Sequence, residues 1–173
     1  MSAALLLAGA ALLLALLAVL ARRRFGLAGR VTRTDAGVAR PVPLLRSAHH
    51  GVAGRPDYLI EERGRVVPVE LKPARRARSP WLRDVVQLAA YCLLLEEAEP
   101  RFAGYGYLRY AGRTFRVDFT PSLRAELLRT LAALRADLGA ADVEPNHEDP
   151  RRCARCALVV ACGRPLTASG RGA

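Results

Sequence analysis

The chain has 173 residues, with 27 Lys and Arg against 16 Asp and Glu and a formal net charge of +11. That length holds one compact domain and an appendage, which excludes a series of large domains. The charge points to a polyanion, nucleic acid or an anionic membrane surface, rather than to a cationic partner, although an arginine-rich composition with solvated basic faces gives the same excess.

The first element is the run Ala3–Ala21, which carries no charged residue and is followed by Arg22–Arg24. About 20 apolar residues span a bilayer as a helix. Nothing basic precedes the run, so the expectation is a retained single-pass anchor, residues 1–24, with cleavage after "AVLA" as the alternative. The arginines on its C-terminal flank place the remaining chain in the cytoplasm. There, four cysteines are thiols or metal ligands before they are disulfides.

Residues 25–50 mix glycine, proline and polar residues without periodicity and read as a linker. "RPDYLIEE" and "GRVVPVELK" flank a turn at Arg63–Gly64 and predict a β-hairpin. Pro68 inside the second run predicts an edge strand or a bulge. The basic loop "PARRARSP" leads into "WLRDVVQLAAYCLLLEEAE", apolar at helical spacing from Leu82 to Leu95. A second hairpin is expected to turn near Ala111–Gly112. An amphipathic helix follows between Pro121 and Gly139. Hairpin, helix, hairpin, helix predicts an α/β domain with a mixed central sheet flanked by helices, over residues 51–145. Residues 146–173 form a cysteine-containing segment whose end, "LTASGRGA", is expected to be disordered.

Lys72 is the only lysine; every other basic residue is arginine. Arginine is a planar fork and lysine a compact ammonium, so a position that keeps lysine against such a drift suits one positive charge in a small space. Alternation along a strand puts Glu70 and Lys72 on one face. Adjacent antiparallel strands bring Asp57 and Glu70 within reach of one hard cation, Mg²⁺ or Mn²⁺, with the Leu71 carbonyl as a further oxygen. Such an ion activates water and neutralises charge on a phosphate, and an ammonium beside it stabilises the anionic transition state. The blander reading is a set of exposed charges or a cross-strand ion pair. Against it stand the apolar surroundings of Glu70 in "VVPVEL", Pro56 before Asp57, and the single lysine. Gln87 and Tyr91, four apart, share a helical face. If phosphodiesters are the substrate, Arg75, Arg76 and Arg78 could track phosphates and Trp81 could stack on a base; a solvated turn and a packed tryptophan are the alternatives.

The ordered set "GRPDYL", "VPVELK" and "QLAAY" resembles the signature of the PD-(D/E)xK nuclease superfamily in its RecB-like branch, and most closely the CRISPR-associated RecB-like exonuclease family (the fourth Cas family). The resemblance covers about residues 50–165. It implies a restriction-endonuclease-like core and a metal-dependent DNA exonuclease acting on single strands or ends. Asp57, Glu70 and Lys72 match its catalytic residues, and Gln87 and Tyr91 match the helix that supports them or contacts DNA. A metal-binding histidine often precedes the aspartate, which makes His49 or His50 a candidate ligand. The resemblance also implies an iron–sulfur cluster held by Cys153, Cys156 and Cys162, spaced C-x₂-C-x₅-C, with a fourth cysteine upstream of Asp57. This chain has none there. Cys92 lies in the apolar helix, and His147 is a substitute ligand or an exposed loop residue. A [4Fe–4S] cluster, a Zn²⁺ ion or free thiols therefore all stay open, with the fourth ligand unidentified. The competing function is a catalytically inactive module of the same fold that binds nucleic acid or a protein partner at the membrane.

Overall fold

The computed structural model describes residues 9, 12–14, 29–34, 41–145 and 147–166. The expected anchor Ala3–Ala21 lies largely outside them; among the described residues no helix is long and apolar enough to cross a membrane. Of the expected disordered end, all but Leu166 also lies outside them.

The chain divides into two compact units, Met1–Arg129 and Thr130–Ala173. The first is built on a five-stranded sheet of order β1-β4-β5-β6-β7, with β1 Arg30–Thr34, β4 Tyr58–Glu62, β5 Arg65–Lys72, β6 Tyr105–Tyr110 and β7 Arg113–Asp118. A separate two-stranded hairpin joins β2 Leu45–Ser47 to β3 Val52–Gly54. The turn between β4 and β5 falls at Arg63 and Gly64, at φ 53° and 74°. Two successive positive φ angles give the tight turn whose twist matches its strands. Helix α1, Leu82–Ala98, carries the chain across from β5 to β6, which therefore pair in parallel. Strands β6 and β7 form the second hairpin, turning through Gly112 at φ 78°. Helix α2, Pro121–Gly139, follows.

Strand alternation sorts the core. Leu59, Val66, Leu108 and Tyr110 face α1 and pack with its Leu88, Tyr91, Cys92 and Leu95. Ile60, Val67 and Val69 pack on the opposite face with Tyr105 and Tyr107. β5 is thus buried from Val66 to Glu70, as the centre of a sheet covered on both faces must be.

Two sequence expectations need correction. Residues 25–50, expected as a linker, contain β1 and β2. β1 is an edge strand whose Arg, Val and Thr residues give no clear alternation; it is ordered by antiparallel pairing with β4 and by Thr32 Oγ1 donating to the Leu59 carbonyl at 3.0 Å. Pro68 sits in the central strand rather than at an edge. Its missing N–H is tolerated for a local reason. The Val66 N–H donates across to the Arg101 carbonyl at 2.8 Å, and alternation puts the Pro68 nitrogen on that same side. There the pairing is interrupted between the Val66–Phe102 bridge and the ladder that starts at Val69–Tyr107.

Candidate active site

β5 delivers Glu70 and Lys72, at its C-terminal end, to the face covered by α1. Glu70 is buried, 5 % exposed. The Lys72 ammonium donates to Glu70 Oε1 at 2.6 Å and to Gln87 Oε1 at 2.9 Å. Gln87 Nε2 donates to the same Glu70 oxygen at 2.8 Å and to the Tyr91 hydroxyl oxygen at 2.9 Å. One glutamine amide thus holds three polar groups, and its carbonyl can only be oriented toward the ammonium. Asp57, just before β4, accepts the Leu71 N–H at 2.7 Å on Oδ2. In an extended strand a residue's N–H and C=O share an edge, so the Leu71 carbonyl lies toward Asp57. The structure therefore gathers Asp57, Glu70, Leu71, Lys72, Gln87 and Tyr91. Tyr91 is seated by a close approach: a Cβ on Gly54 of β3 would lie 2.8 Å from its ring, a distance only glycine permits there.

Burial raises the Glu70 pKa; the Lys72 hydrogen bond pulls it down, and the neighbouring Asp57 charge and a hydrogen bond shared with Asp57 push it up again. Burial alone would lower the Lys72 pKa, but its bond to Glu70 and the charges of Glu70, Asp84 and Asp57 reverse that and raise it. Two carboxylates forced together beside a firmly protonated amine form a cation-seeking arrangement. The oxygen donors Asp57, Glu70 and the Leu71 carbonyl suit a hard divalent ion.

His50 is placed elsewhere. Its Nε2 lies 3.3 Å from Glu97 Oε1, and Glu97 is ten residues beyond Gln87 on α1, about 15 Å along the axis. The adjacent His49 is exposed and meets His50 edge to face. Among the described residues no three His, Cys, Asp or Glu side chains stand in metal-binding geometry, so the carboxylate pair has no histidine companion. The reason is the β2–β3 hairpin, whose turn carries His50 to the far half of α1.

Arg75, Arg76 and Arg78 follow Lys72 directly, but they are not equivalent. Arg76 and Arg78 are exposed. Arg75 is ion-paired through Nη1 to Asp84 Oδ2, and its guanidinium lies 4.5 Å from the centre of the Trp81 ring. Arg83 lies over the same ring at 4.5 Å. Asp84, 2 % exposed, also accepts from the Tyr110 hydroxyl, while the Trp81 N–H donates to that hydroxyl at 3.0 Å. Sequence reasoning missed Asp84 and Tyr110. The signal was present: Asp84, Leu88, Tyr91 and Leu95 fall on one buried stripe of α1, and an acid on an apolar stripe needs a partner. Asp84→Ala is expected to destabilise the fold by about 3–5 kcal/mol by leaving the Arg75 charge uncompensated, whereas Arg76→Ala stays within about 0.5 kcal/mol. Denaturant midpoints of the two variants decide this.

In the second unit, helix α3, Pro150–Cys153, begins a short series of turns. Cys153 is buried, Cys162 half-buried and Cys156 exposed. Cys92 is buried in α1, in the other unit; burial strongly raises its pKa, and it packs in the core as a small apolar residue.

An aspartate, an E-x-K strand end and a glutamine–tyrosine pair on a helix thus stand together on a mixed sheet. The sequence profile of the PD-(D/E)XK nuclease superfamily matches residues 3–163, and the chain belongs to that superfamily. Its relatives are more specific. It is 30% identical over 141 residues to a CRISPR-associated exonuclease Cas4 of Rhodospirillum rubrum, covering 76% of this chain and 41% of that protein. It is also 30% identical over 125 residues to a CRISPR-associated exonuclease Cas4/endonuclease Cas1 fusion of Myxococcus xanthus, covering 68% of this chain and 22% of that protein. The chain spans less than half the length of these curated relatives. The crystal structure of SSO0001 matches with a TM-score of 0.48 and 22% identity over 95% of this chain and 73% of that one.

Proposed function

We propose that the chain is a divalent-metal-dependent DNA nuclease of exonuclease type, acting on strands or ends and held at the cytoplasmic face of a membrane by the run Ala3–Ala21. The observation that carries the catalytic reading is the lysine ammonium bonded at once to Glu70 and Gln87, beside a second carboxylate. A structural ion pair needs one carboxylate and gains nothing from a second that raises the first one's pKa. Asp57, Glu70 and the Leu71 carbonyl would hold the ion, Mg²⁺ or Mn²⁺. When bound, it lowers the pKa of a coordinated water and neutralises charge on the phosphate. Lys72 places a positive charge beside the attacked phosphate and orients the water. Gln87 fixes the ammonium against Glu70, and Tyr91 fixes Gln87. Exposed Arg76 and Arg78 support phosphate tracking at the mouth of the site, and contact through them weakens steeply with salt. The relatives' names support exonuclease action, and the chain's net charge of +11 supports a polyanionic substrate. The apolar run and its Arg22–Arg24 flank support the tether.

The purified full chain, in detergent, is expected to degrade end-labelled DNA with Mn²⁺ and to stop when EDTA is added. Salt-sensitive DNA binding without any metal-dependent cleavage would instead return the inactive binding module. Recovery of the chain in the soluble fraction of lysed cells would remove the tether without touching the catalytic reading.

A further inference from the structure

We propose that His147 completes a four-ligand site with Cys153, Cys156 and Cys162, forming a Cys₃His shell for a thiophilic metal centre. The proposal does not depend on the nuclease reading. All four residues line one cavity of about 500 Å³ in the second unit. Successive turns gather the cysteines there. The Asp149 side chain caps α3 by accepting the Arg151 N–H at 3.0 Å. Next, the Cys156 N–H donates to the Cys153 carbonyl at 3.0 Å, so both sulfurs of the C-x₂-C pair leave one turn. Further turns through Val159 and Ala161 bring the chain round to Cys162.

One polar atom there asks for a ligand, and one sulfur is already supported to act as one. His147 Nδ1 is buried and has no hydrogen-bond partner among the described residues; burying such an atom unsatisfied is costly, and coordination would offset that cost. Cys153 Sγ accepts the Leu166 N–H at 3.4 Å, the kind of bond that supports a metal-bound thiolate. No cysteine precedes Asp57 to act as a fourth thiolate, and Cys92 is locked in the apolar core of α1. Asp137 and Glu144 also line the cavity. Glu144 is ion-paired to Arg164, and the hard oxygens of Asp137 suit a three-thiolate site less well than imidazole does. The four side chains ring the cavity without standing at ligand distances, so binding requires them to turn inward. Three thiolates and one imidazole form a known structural zinc set, and histidine can also replace cysteine on the iron of a cluster.

The test is metal binding by the full chain, purified anaerobically with reductant. Iron and acid-labile sulfide assays distinguish a cluster from a single ion. Cobalt titration of the metal-free protein then reads ligand type through its visible absorption. One equivalent is expected to bind with thiolate charge-transfer bands. His147→Ala is expected to weaken binding at least tenfold, and His147→Cys to restore it with a shifted spectrum. Thermal melts of the metal-free variants establish that they remain folded. Unchanged affinity and spectrum in His147→Ala would overturn the proposal. So would loss of binding in Asp137→Asn with His147→Ala unaffected, or a parent chain that takes up neither metal nor cluster.

Discussion

Lys72→Ala is expected to lower metal-dependent cleavage by about 10²–10³-fold, the usual loss when one group that stabilises transition-state charge is removed. The fold should survive, because Glu70 keeps its bond from Gln87 at 2.8 Å. The sharper variant is Lys72→Arg, which is expected to fall as far. The amine is bonded to Glu70 Oε1 at 2.6 Å and to Gln87 Oε1 at 2.9 Å, and a planar fork cannot place one donor at that point without displacing the amide. The alanine variant carries a pH signature as well. The Lys72 bond holds the Glu70 pKa down against burial; without it, that pKa rises further and the acidic limb of the rate profile moves to higher pH. Single-turnover rates across pH, with thermal melts of each variant, measure both effects. A Lys72→Arg variant that cuts at the parental rate would remove the physical reason for the lone lysine.

Glu70→Gln is expected to abolish cleavage and, at neutral pH, to make the metal-free chain more stable. The folded-state pKa of Glu70 is raised above its ordinary 4.5, first by burial and then by Asp57. Its favourable contribution is therefore complete below 4.5 and is lost as pH rises through the raised value. The metal-free parent should lose stability across that window, and the neutral glutamine should not. Lys72, also raised, contributes below its ordinary 10.5 and loses that contribution only above its folded value, so it is constant through the window. Mn²⁺ at about 100 times its Kd should restore about 2.7 kcal/mol to the parent, roughly 5–10 °C for a chain of this size. The glutamine variant should gain none. Melting curves at about pH 4 and about pH 8, with and without Mn²⁺, test this window because it brackets the ordinary carboxylate range. Equal Mn²⁺ stabilisation of both proteins would exclude Glu70 as a ligand.

The parts of the fold that were legible are those whose signals are local. The Arg63–Gly64 turn, the Gly112 turn and the apolar period of α1 each declare themselves within a few residues. β1 does not, because it takes its order from pairing with β4, distant in sequence, and the β2–β3 hairpin does not, because three-residue strands are too short to show a period. Pro68 left an edge and a bulge both open: which one holds depends on the partner strand's irregularity, which lies some 35 residues away near Ala103.

At the site, two-residue and four-residue periods decide that Glu70 and Lys72 share a strand face and that Gln87 and Tyr91 share a helical face, while the choice of Gln87 and Tyr91 as site residues came from the resemblance to the superfamily's motifs. Periodicity does not carry distance across the chain. Only the packing of α1 on β5 decided that one amide would clamp lysine, glutamate and tyrosine together, that Arg75 would answer a buried Asp84, and that His50 would meet Glu97 instead of the carboxylates. Those outcomes depend on contacts between elements, and no local pattern encodes them.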